Sequence, residues 1–242
     1  MLKLAKSFDL CRSDNPNAAA IFIHGIAASS KSFDGLFNNI VEKNNLEDMR
    51  LVAFDLLGSG KSYTSDELEY NYDEQLEALN NAIKELNFNK PLVLVGHSMG
   101  TMIATRFSSL HPELVKGLVL ISAPVYRRED IENPLFERAM DGFRNVVSKK
   151  GNEVLKSKAF NNEIKNIVSN KENYNYLLRL SKPTVIIYGE LDKIIAPFNI
   201  PQLLKDNPNI KAIKTAGAHG VSKDKYAKII STLRKLNNEG AK

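Results

Sequence analysis

The chain has 242 residues, 43% of them hydrophobic, and a formal net charge of +5 at pH 7. That length suits one large domain or two small ones, and the apolar content is ample for a sizeable core. No stretch approaches the roughly 20 apolar residues of a bilayer-spanning helix, and Met1–Leu10, interrupted by Lys3 and Lys6, lacks the apolar segment of a secretory leader, so none is expected. The lysines are spread along the chain with no interleaved aromatic cluster, the pattern of a solvated surface rather than of a nucleic-acid or membrane face. A single cysteine, Cys11, rules out an internal disulfide. It agrees with a reducing, cytoplasmic compartment and reads as a near-surface thiol without a role.

In chain order, Lys3 to Leu10 leaves room for one strand. The apolar run at 18–23 predicts a second, ending at His24-Gly25. Phe33, Leu36, Phe37, Ile40 and Val41 fall at i, i+3, i+4, i+7 and i+8, one stripe of a helix. A strand near 50–54 leads into a turn from Asp55 to Ser62. Its Gly60-Lys61-Ser62 end imitates a phosphate-binding loop, but G-x-x-x-x-G-K-[ST] would place the first glycine where Asp55 stands. An aspartate there would repel phosphate. Asp55, Gly58 and Gly60 read instead as turn formers, the carboxylate bonding nearby backbone. Leu76, Leu79, Ile83 and Leu86 make a second helical stripe before a strand near 91–95, and a further strand lies near 117–121.

Between Pro124 and Ser181 the strand rhythm breaks. This stretch is rich in Asn, Lys and Glu, with Leu135, Ala139, Met140, Phe143 and Val147 at helical spacing, and Gly151 and the Asn pairs read as helix breaks. Strands resume near 183–188 and 209–214. Tyr226, Ile229, Ile230, Leu233 and Leu236 stripe a closing helix, and the tail from Asn237 to Lys242 is expected to fray. Strand-length runs alternating with amphipathic helices predict an α/β fold with a mostly parallel sheet covered on both faces.

The chemistry centres on Gly96-His97-Ser98-Met99-Gly100, between a buried strand and the helical run Thr101–Phe107. In so tight a corner the serine backbone enters a sparsely populated region, and a Cβ two positions before or after would crowd it. The Ser98 hydroxyl is then exposed beside the first unpaired N–H groups of the helix, which suits a nucleophile. A serine needs a base and an orienting acid. Of four histidines, His24 and His97 lie in other turns and His111 precedes Pro112 at a helix end. His219 lies in the small-residue loop from Thr215 to Val221, at the end of a strand. The acid is expected from the end of the 183–188 strand, where Asp192 is the natural choice and Glu190 its competitor.

With the order Ser98, Asp192, His219, the glycine-flanked serine, His24-Gly25 and the D-x-x-G-x-G-x-S turn at Asp55, the chain resembles the α/β-hydrolase fold family over nearly its whole length. The resemblance implies a core of residues 1–123 and 182–242 and a helical cap, 124–181, inserted after the strand ending near Ser122. Family members usually open with a hairpin; here only one strand fits. The backbone N–H groups of Ile26 and Met99 are the implied oxyanion donors. The implied activity is a carboxylesterase acting on small to medium acyl chains of a small-molecule ester, with no metal or organic cofactor. Thioesterases, carbon–carbon bond hydrolases, perhydrolases and acyltransferases share the triad, whereas the dehalogenases and epoxide hydrolases of the fold carry aspartate in place of the serine. A small-molecule receptor on the same fold is the reading from another class. Phe136, Met140 and Phe143 are the candidate substrate-binding residues, with Tyr126, Phe160, Tyr174 and Tyr176 behind them. Arg127, Arg128, Arg138, Arg144 and Arg179 are the cations that an acidic substrate would need.

Overall fold

The computed structural model describes residues 2–148, 157–192 and 194–238. Seven strands form one sheet: β1 (Lys6–Leu10), β2 (Ala18–Ile23), β3 (Met49–Phe54), β4 (Leu92–His97), β5 (Val115–Ile121), β6 (Thr184–Gly189) and β7 (Ile210–Thr215), in the order β1-β3-β2-β4-β5-β6-β7. The single strand β1 runs antiparallel to β3, and every other pairing is parallel. Parallel strands need crossovers, and these supply helices to both faces, so the strands read as continuous apolar runs. All six residues of β2 are buried. The period of two then divides them between two cores. Ala19, Ile21 and Ile23 face the side covered by α2 (Tyr72–Glu85) and α3 (Met99–Leu110), while Ala18, Ala20 and Phe22 face α1 (Asp34–Glu42) and the closing α9 (Lys223–Asn238).

The helical stripes fall where the spacing predicts, with small departures. Phe33, Leu36, Phe37 and Ile40 are buried, and the rings of Phe33 and Phe37 meet that of Phe22 edge-on at 5.2 and 4.9 Å. Val41 is half-exposed instead, because the nine-residue α1 touches the sheet through a narrower face than five positions span. Asn71 caps α2, its side-chain oxygen accepting the Glu74 N–H at 3.1 Å. The expected fraying does not begin at Asn237. The α9 helix runs to Asn238, Asn237 is buried, and its carbonyl accepts from Lys116 Nζ at 2.8 Å. Residues 239–242 lie outside the described residues.

Between β5 and β6 the chain forms α4 (Arg128–Glu132), α5 (Pro134–Ser148), α6 (Lys158–Glu163), a π-helical turn at Ile164–Val168, and α7 (Asn173–Leu178), with a short α8 (Ile200–Asp206) following β6. Asn161 and Asn162 do not break a helix. They lie inside α6, where Asn161 Nδ2 donates to the Ser157 carbonyl at 3.1 Å and Asn162 Nδ2 to Glu69 at 3.1 Å. The expected break at Gly151 lies outside the described residues, and Leu135 is exposed rather than packed. Val147, Phe160 and Ile164 form a small apolar cluster of their own, while Ala159, Ile167, Tyr174 and Leu177 join the main core beneath α2 and α3. No helix among the described residues is long and apolar enough to cross a membrane.

Among the polar contacts that tie this helical segment to the core, one is made by a buried carboxyl. Glu163, at the end of α6, is buried and accepts from Gln75 Nε2 at 3.3 Å, while Gln75 also bonds both backbone groups of Leu57. Burial without a cation pushes the Glu163 carboxyl up to about 8. Below 4.5 the group is protonated in both states. Between 4.5 and about 8 the unfolded chain releases a proton that the folded chain keeps, so stability falls as pH rises through that window. Glu163→Gln is therefore expected to gain little at pH 4.5 and a margin of a few kcal/mol by pH 8. Urea denaturation at both pH values reads this, and equal margins would refute it.

Candidate active site

The corner after β4 is strained as its sequence requires. Ser98 has φ 52° and ψ −121°, a conformation that side chains bearing a Cβ seldom adopt. Its N–H donates to the Ile121 carbonyl at 2.9 Å, and its own carbonyl accepts from the N–H and hydroxyl of Thr101 at 2.9 and 2.6 Å. The flanking glycines are steric necessities. A Cβ on Gly100 would lie 2.1 Å from the Ile23 carbonyl oxygen, and one on Gly96 would lie 2.6 Å from the backbone of Gly100 and Thr101. Only glycine lets α3 start this close to β2.

Two loops meet Ser98. The turn after β6 carries Asp192, and the loop after β7 carries His219. They touch through backbone, with Glu190 N–H donating to the Thr215 carbonyl at 2.8 Å and Leu191 N–H to that of Gly217 at 3.2 Å. A Cβ on Gly189 would lie 1.9 Å from the Gly217 oxygen, so this approach also requires glycine. The result is a hydrogen-bonded chain. His219 Nε2 is 2.9 Å from Ser98 Oγ, and Nδ1 is 2.9 and 3.1 Å from the Asp192 carboxylate oxygens. A carboxylate only accepts, so Nδ1 carries the proton and Nε2 is left to accept from the serine hydroxyl. The buried Asp192 also accepts the Ile194 N–H at 3.0 Å. Burial alone would raise its pKa, but the bond from His219, the charge of that ring and the Ile194 N–H together hold it below the ordinary carboxylate value. Glu190 turns outward, half-exposed, toward Lys214 at 3.6 Å. The acid the structure brings to His219 is Asp192.

His24 and the Asp55 turn hold the backbone beside this arrangement, and the other histidines lie in different places. His24 is buried, bonds the Gly25 carbonyl through Nδ1 at 2.8 Å and accepts the Leu56 N–H on Nε2 at 2.9 Å. Asp55 accepts from Ser30 N–H at 2.9 Å, Lys61 N–H at 3.0 Å and the Ser7 hydroxyl at 2.8 Å, a carboxylate wrapped by its own turn. His111 packs its ring 4.7 Å from that of Phe107 at the end of α3. His97 is the final residue of β4 rather than part of a turn, and it is buried.

Over Ser98 lies a tight cleft of about 20 Å³, lined by Ile26, Met99, Tyr126, Met140, Phe143 and Ile194, among other apolar residues. Of the three candidate substrate-binding residues, Met140 and Phe143 line this cleft and Phe136 does not. It is buried one layer out, its ring edge-on to Tyr126 at 5.1 Å. Phe160 stacks behind Phe143, and Tyr174 and Tyr176 pack under the guanidinium groups of Arg127 and Arg106. Tyr126 donates its hydroxyl to the Ile194 carbonyl, closing the cleft wall. Ile164, Val168 and Ile194 had no distinguishing signal in the sequence, because an apolar residue that lines a cleft reads like one that fills a core. None of the five arginines lines the cleft. Arg127, Arg128 and Arg144 face Glu129, Glu132 and Asp141, and Arg138 and Arg179 are exposed. A larger groove of about 700 Å³ between α1 and α9, lined by Asn39, Lys43 and Arg234 among others, shares no residue with it. Among the described residues no cluster of His, Cys, Asp and Glu is spaced to hold a metal ion.

A mostly parallel sheet with a strained serine at the corner after its central strand, and histidine and carboxylate on later strand ends, is the frame of a hydrolase class. The chain belongs to the alpha/beta hydrolase fold family, whose model matches residues 20–170. It is similar to the pimeloyl-[acyl-carrier protein] methyl ester esterase of Wigglesworthia glossinidia brevipalpis, 30% identical over 226 residues that cover 80% of this chain and 82% of that protein. An esterase from Exiguobacterium antarcticum aligns over 98% of this chain and all of its own, with a TM-score of 0.71 at 18% identity. A thioesterase domain from the curacin biosynthetic pathway aligns over 99% of this chain and all of its own, with a TM-score of 0.68 and 18% identity. At that identity the two solved structures speak for the fold alone.

Replacing Gly100 by alanine drives a Cβ into backbone that cannot move without parting α3 from β2, and is expected to cost roughly 3 kcal/mol. Gly142→Ala, in α5 with no atom within 4 Å of the new Cβ, is expected instead to stabilise by roughly 0.5–1 kcal/mol. Thermal unfolding of the two variants beside wild type checks both signs.

Proposed function

We propose that the protein is a serine carboxylesterase, with Ser98 as nucleophile, His219 as general base and Asp192 as the orienting acid. The observation that carries this reading is the unbroken hydrogen-bonded chain from Asp192 through His219 to Ser98 Oγ at the floor of an apolar cleft. In the first half-reaction His219 Nε2 takes the Ser98 proton as Oγ bonds to the ester carbonyl carbon. The same nitrogen then returns that proton to the departing alkoxide, leaving an acyl-serine. Water, deprotonated by His219, attacks the acyl carbon, and the carboxylic acid leaves as Oγ regains its proton. Asp192, kept ionised, stabilises the imidazolium in both halves. Met99 opens α3, where the first N–H groups have no partner within the helix, and with the N–H of Ile26 it is proposed to bind the oxyanion. The chemistry draws only on these side chains and backbone groups.

The helices of 124–181, read as a cap on a core of 1–123 and 182–242, supply Met140, Phe143, Ile164 and Val168 to the cleft. Those walls are apolar and the space between them is tight, which supports a neutral acyl group of small to medium length. Among the described residues the lining is apolar apart from the Ser98 and Tyr126 hydroxyls, which suits a neutral ester better than the acidic substrates of carbon–carbon bond hydrolases. The esterase relative at 30% identity supports ester chemistry in general terms.

Hydrolysis of p-nitrophenyl esters from acetate to palmitate tests the reading. Turnover is expected to peak at short to medium chains and to fall by at least about 10³-fold in Ser98→Ala and in His219→Ala, the double variant losing little more than either. Undiminished turnover in Ser98→Ala would exclude this mechanism. Folded wild type that is inactive on every ester and unlabelled by a fluorophosphonate would favour a receptor role.

A further inference from the structure

His219 is carried by a loop that packs little of itself. Thr215 to Ser222 is mostly small residues, and its apolar contact with the core is confined to Val221, near the end of the loop. Polar side chains from outside hold it instead. Asp224 Oδ2 accepts from the Thr215 hydroxyl at 2.7 Å and the Gly217 N–H at 3.0 Å, which fixes the start of the loop. Lys225, in the first turn of α9, is completely buried, and its Nζ donates to the Ala218 carbonyl at 2.6 Å, with Ser222 Oγ at 3.5 Å and Asp224 Oδ2 at 3.6 Å beyond it. From the other side, His97 Nε2 lies 2.9 Å from the His219 carbonyl. A carbonyl only accepts, so His97 carries its proton on Nε2. Its Nδ1, without a partner among the described residues, is the bare nitrogen. Burial, reinforced by the charge of His219, lowers the His97 ring to about 4 and keeps it neutral in this role.

These two bonds have complementary targets. The Ala218 carbonyl belongs to the peptide plane that enters the His219 Cα, and the His219 carbonyl belongs to the plane that leaves it. Because each plane is rigid, pinning both fixes φ and ψ of His219 and so the origin of its side chain. We propose that Lys225 and His97 are positioning residues that clamp the two peptide groups flanking His219 and so set the reach of its imidazole to Ser98. The inference rests on the reading of His219 as the base. A buried ammonium costs several kcal/mol in desolvation that a methionine of similar length avoids. Filling space therefore does not account for a lysine at 225, whereas a charged donor held against one carbonyl does. His97 is also the neighbour of Ser98 in the chain, so the residue adjoining the nucleophile grips the backbone of the base.

The test compares Lys225→Met, Lys225→Arg and His97→Met with wild type. For p-nitrophenyl butyrate, Lys225→Met and His97→Met are expected to lose roughly 10- to 100-fold in kcat with KM within about twofold, since misplacing a reacting group by about 1 Å costs on this order. Lys225→Arg, which keeps a charged donor, is expected to recover part of the loss. In a His219→Ala background Lys225→Met is expected to cost nothing further, whereas a general loosening of the fold would add to it. A readout independent of turnover is the proton resonance of His219 Nδ1–H in its bond to Asp192, expected to shift or broaden in both Met variants while the His24 ring resonances stay in place. Wild-type kcat with an unmoved His219 resonance in either folded Met variant would overturn the clamp. If wild-type enzyme hydrolyses no ester, the proposed function fails by itself and the His219 resonance still decides the clamp. Should Lys225→Met not fold, His97→Met decides it from the opposite carbonyl.

Discussion

A serine held at φ 52° on the corner between a buried strand and a buried helix is the constraint from which the rest of this architecture follows. A residue with a Cβ is held there only if its surroundings outweigh a strain of about 1–3 kcal/mol. They do so through close backbone approach. Gly100 sits against the carbonyl of Ile23, so β2 must lie beside β4, and the Ser98 N–H reaches Ile121, so β5 must lie on the other side. Burial of nine of the twelve residues of α3 supplies the opposing free energy. The strain and the central sheet order are thus two aspects of one packing solution. A second serine in the left-handed region, Ser122, follows β5 with φ 50° and donates its N–H to Ile187, repeating the device one strand along.

One group of buried polar residues gathers where the strands end. Asp192, His24, His97, Ser98 and Ser122 all cluster on strand ends or the turns that follow them, and Lys225 reaches the same region from α9. The low dielectric there strengthens each bond and penalises each missing one, so the network tolerates few alternative arrangements. Asp192 illustrates the balance. Its burial favours the neutral acid, and the donors on His219 and Ile194 overcome that preference. Glu163 is the contrasting case, a buried carboxyl whose described side-chain partner, Gln75, is neutral, and its proton is correspondingly retained.

The helical segment between β5 and β6 shows how one insertion serves two purposes. Residues such as Ile167 and Leu177 complete the core over α2 and α3, while Met140, Phe143, Ile164 and Val168 roof the serine. Helical spacing accommodates both, because residues on opposite flanks of one turn can face core and cleft.

Strand positions, the strained corner and the wrapped carboxylate of Asp55 were legible in the sequence, because each depends on local chemistry. Five consecutive apolar residues ending in G-x-S-x-G leave little choice of backbone. The choice of Asp192 over Glu190 was open in the sequence, since two residues of separation in a turn do not say which carboxylate points inward; the meeting of the β6 and β7 loops decides it. Val41 and Leu135 were misread for a similar reason. Periodicity says which residues share a face, but what that face meets depends on partners distant in the chain. The grip of His97 on the His219 loop is of this second kind, while Lys225 reaches that loop from the adjoining helix. Neither residue has a local signature, and their bonds link His97 with His219 across 122 positions and Lys225 with Ala218 across a turn. The sequence by itself determined the elements, the two-sided burial of the sheet and the corner that exposes Ser98, because backbone sterics and hydrophobic period act over a few residues. Only the tertiary structure decided which acid, which walls and which supports surround that serine, because those depend on hydrogen-bond distances between segments that the chain order leaves far apart.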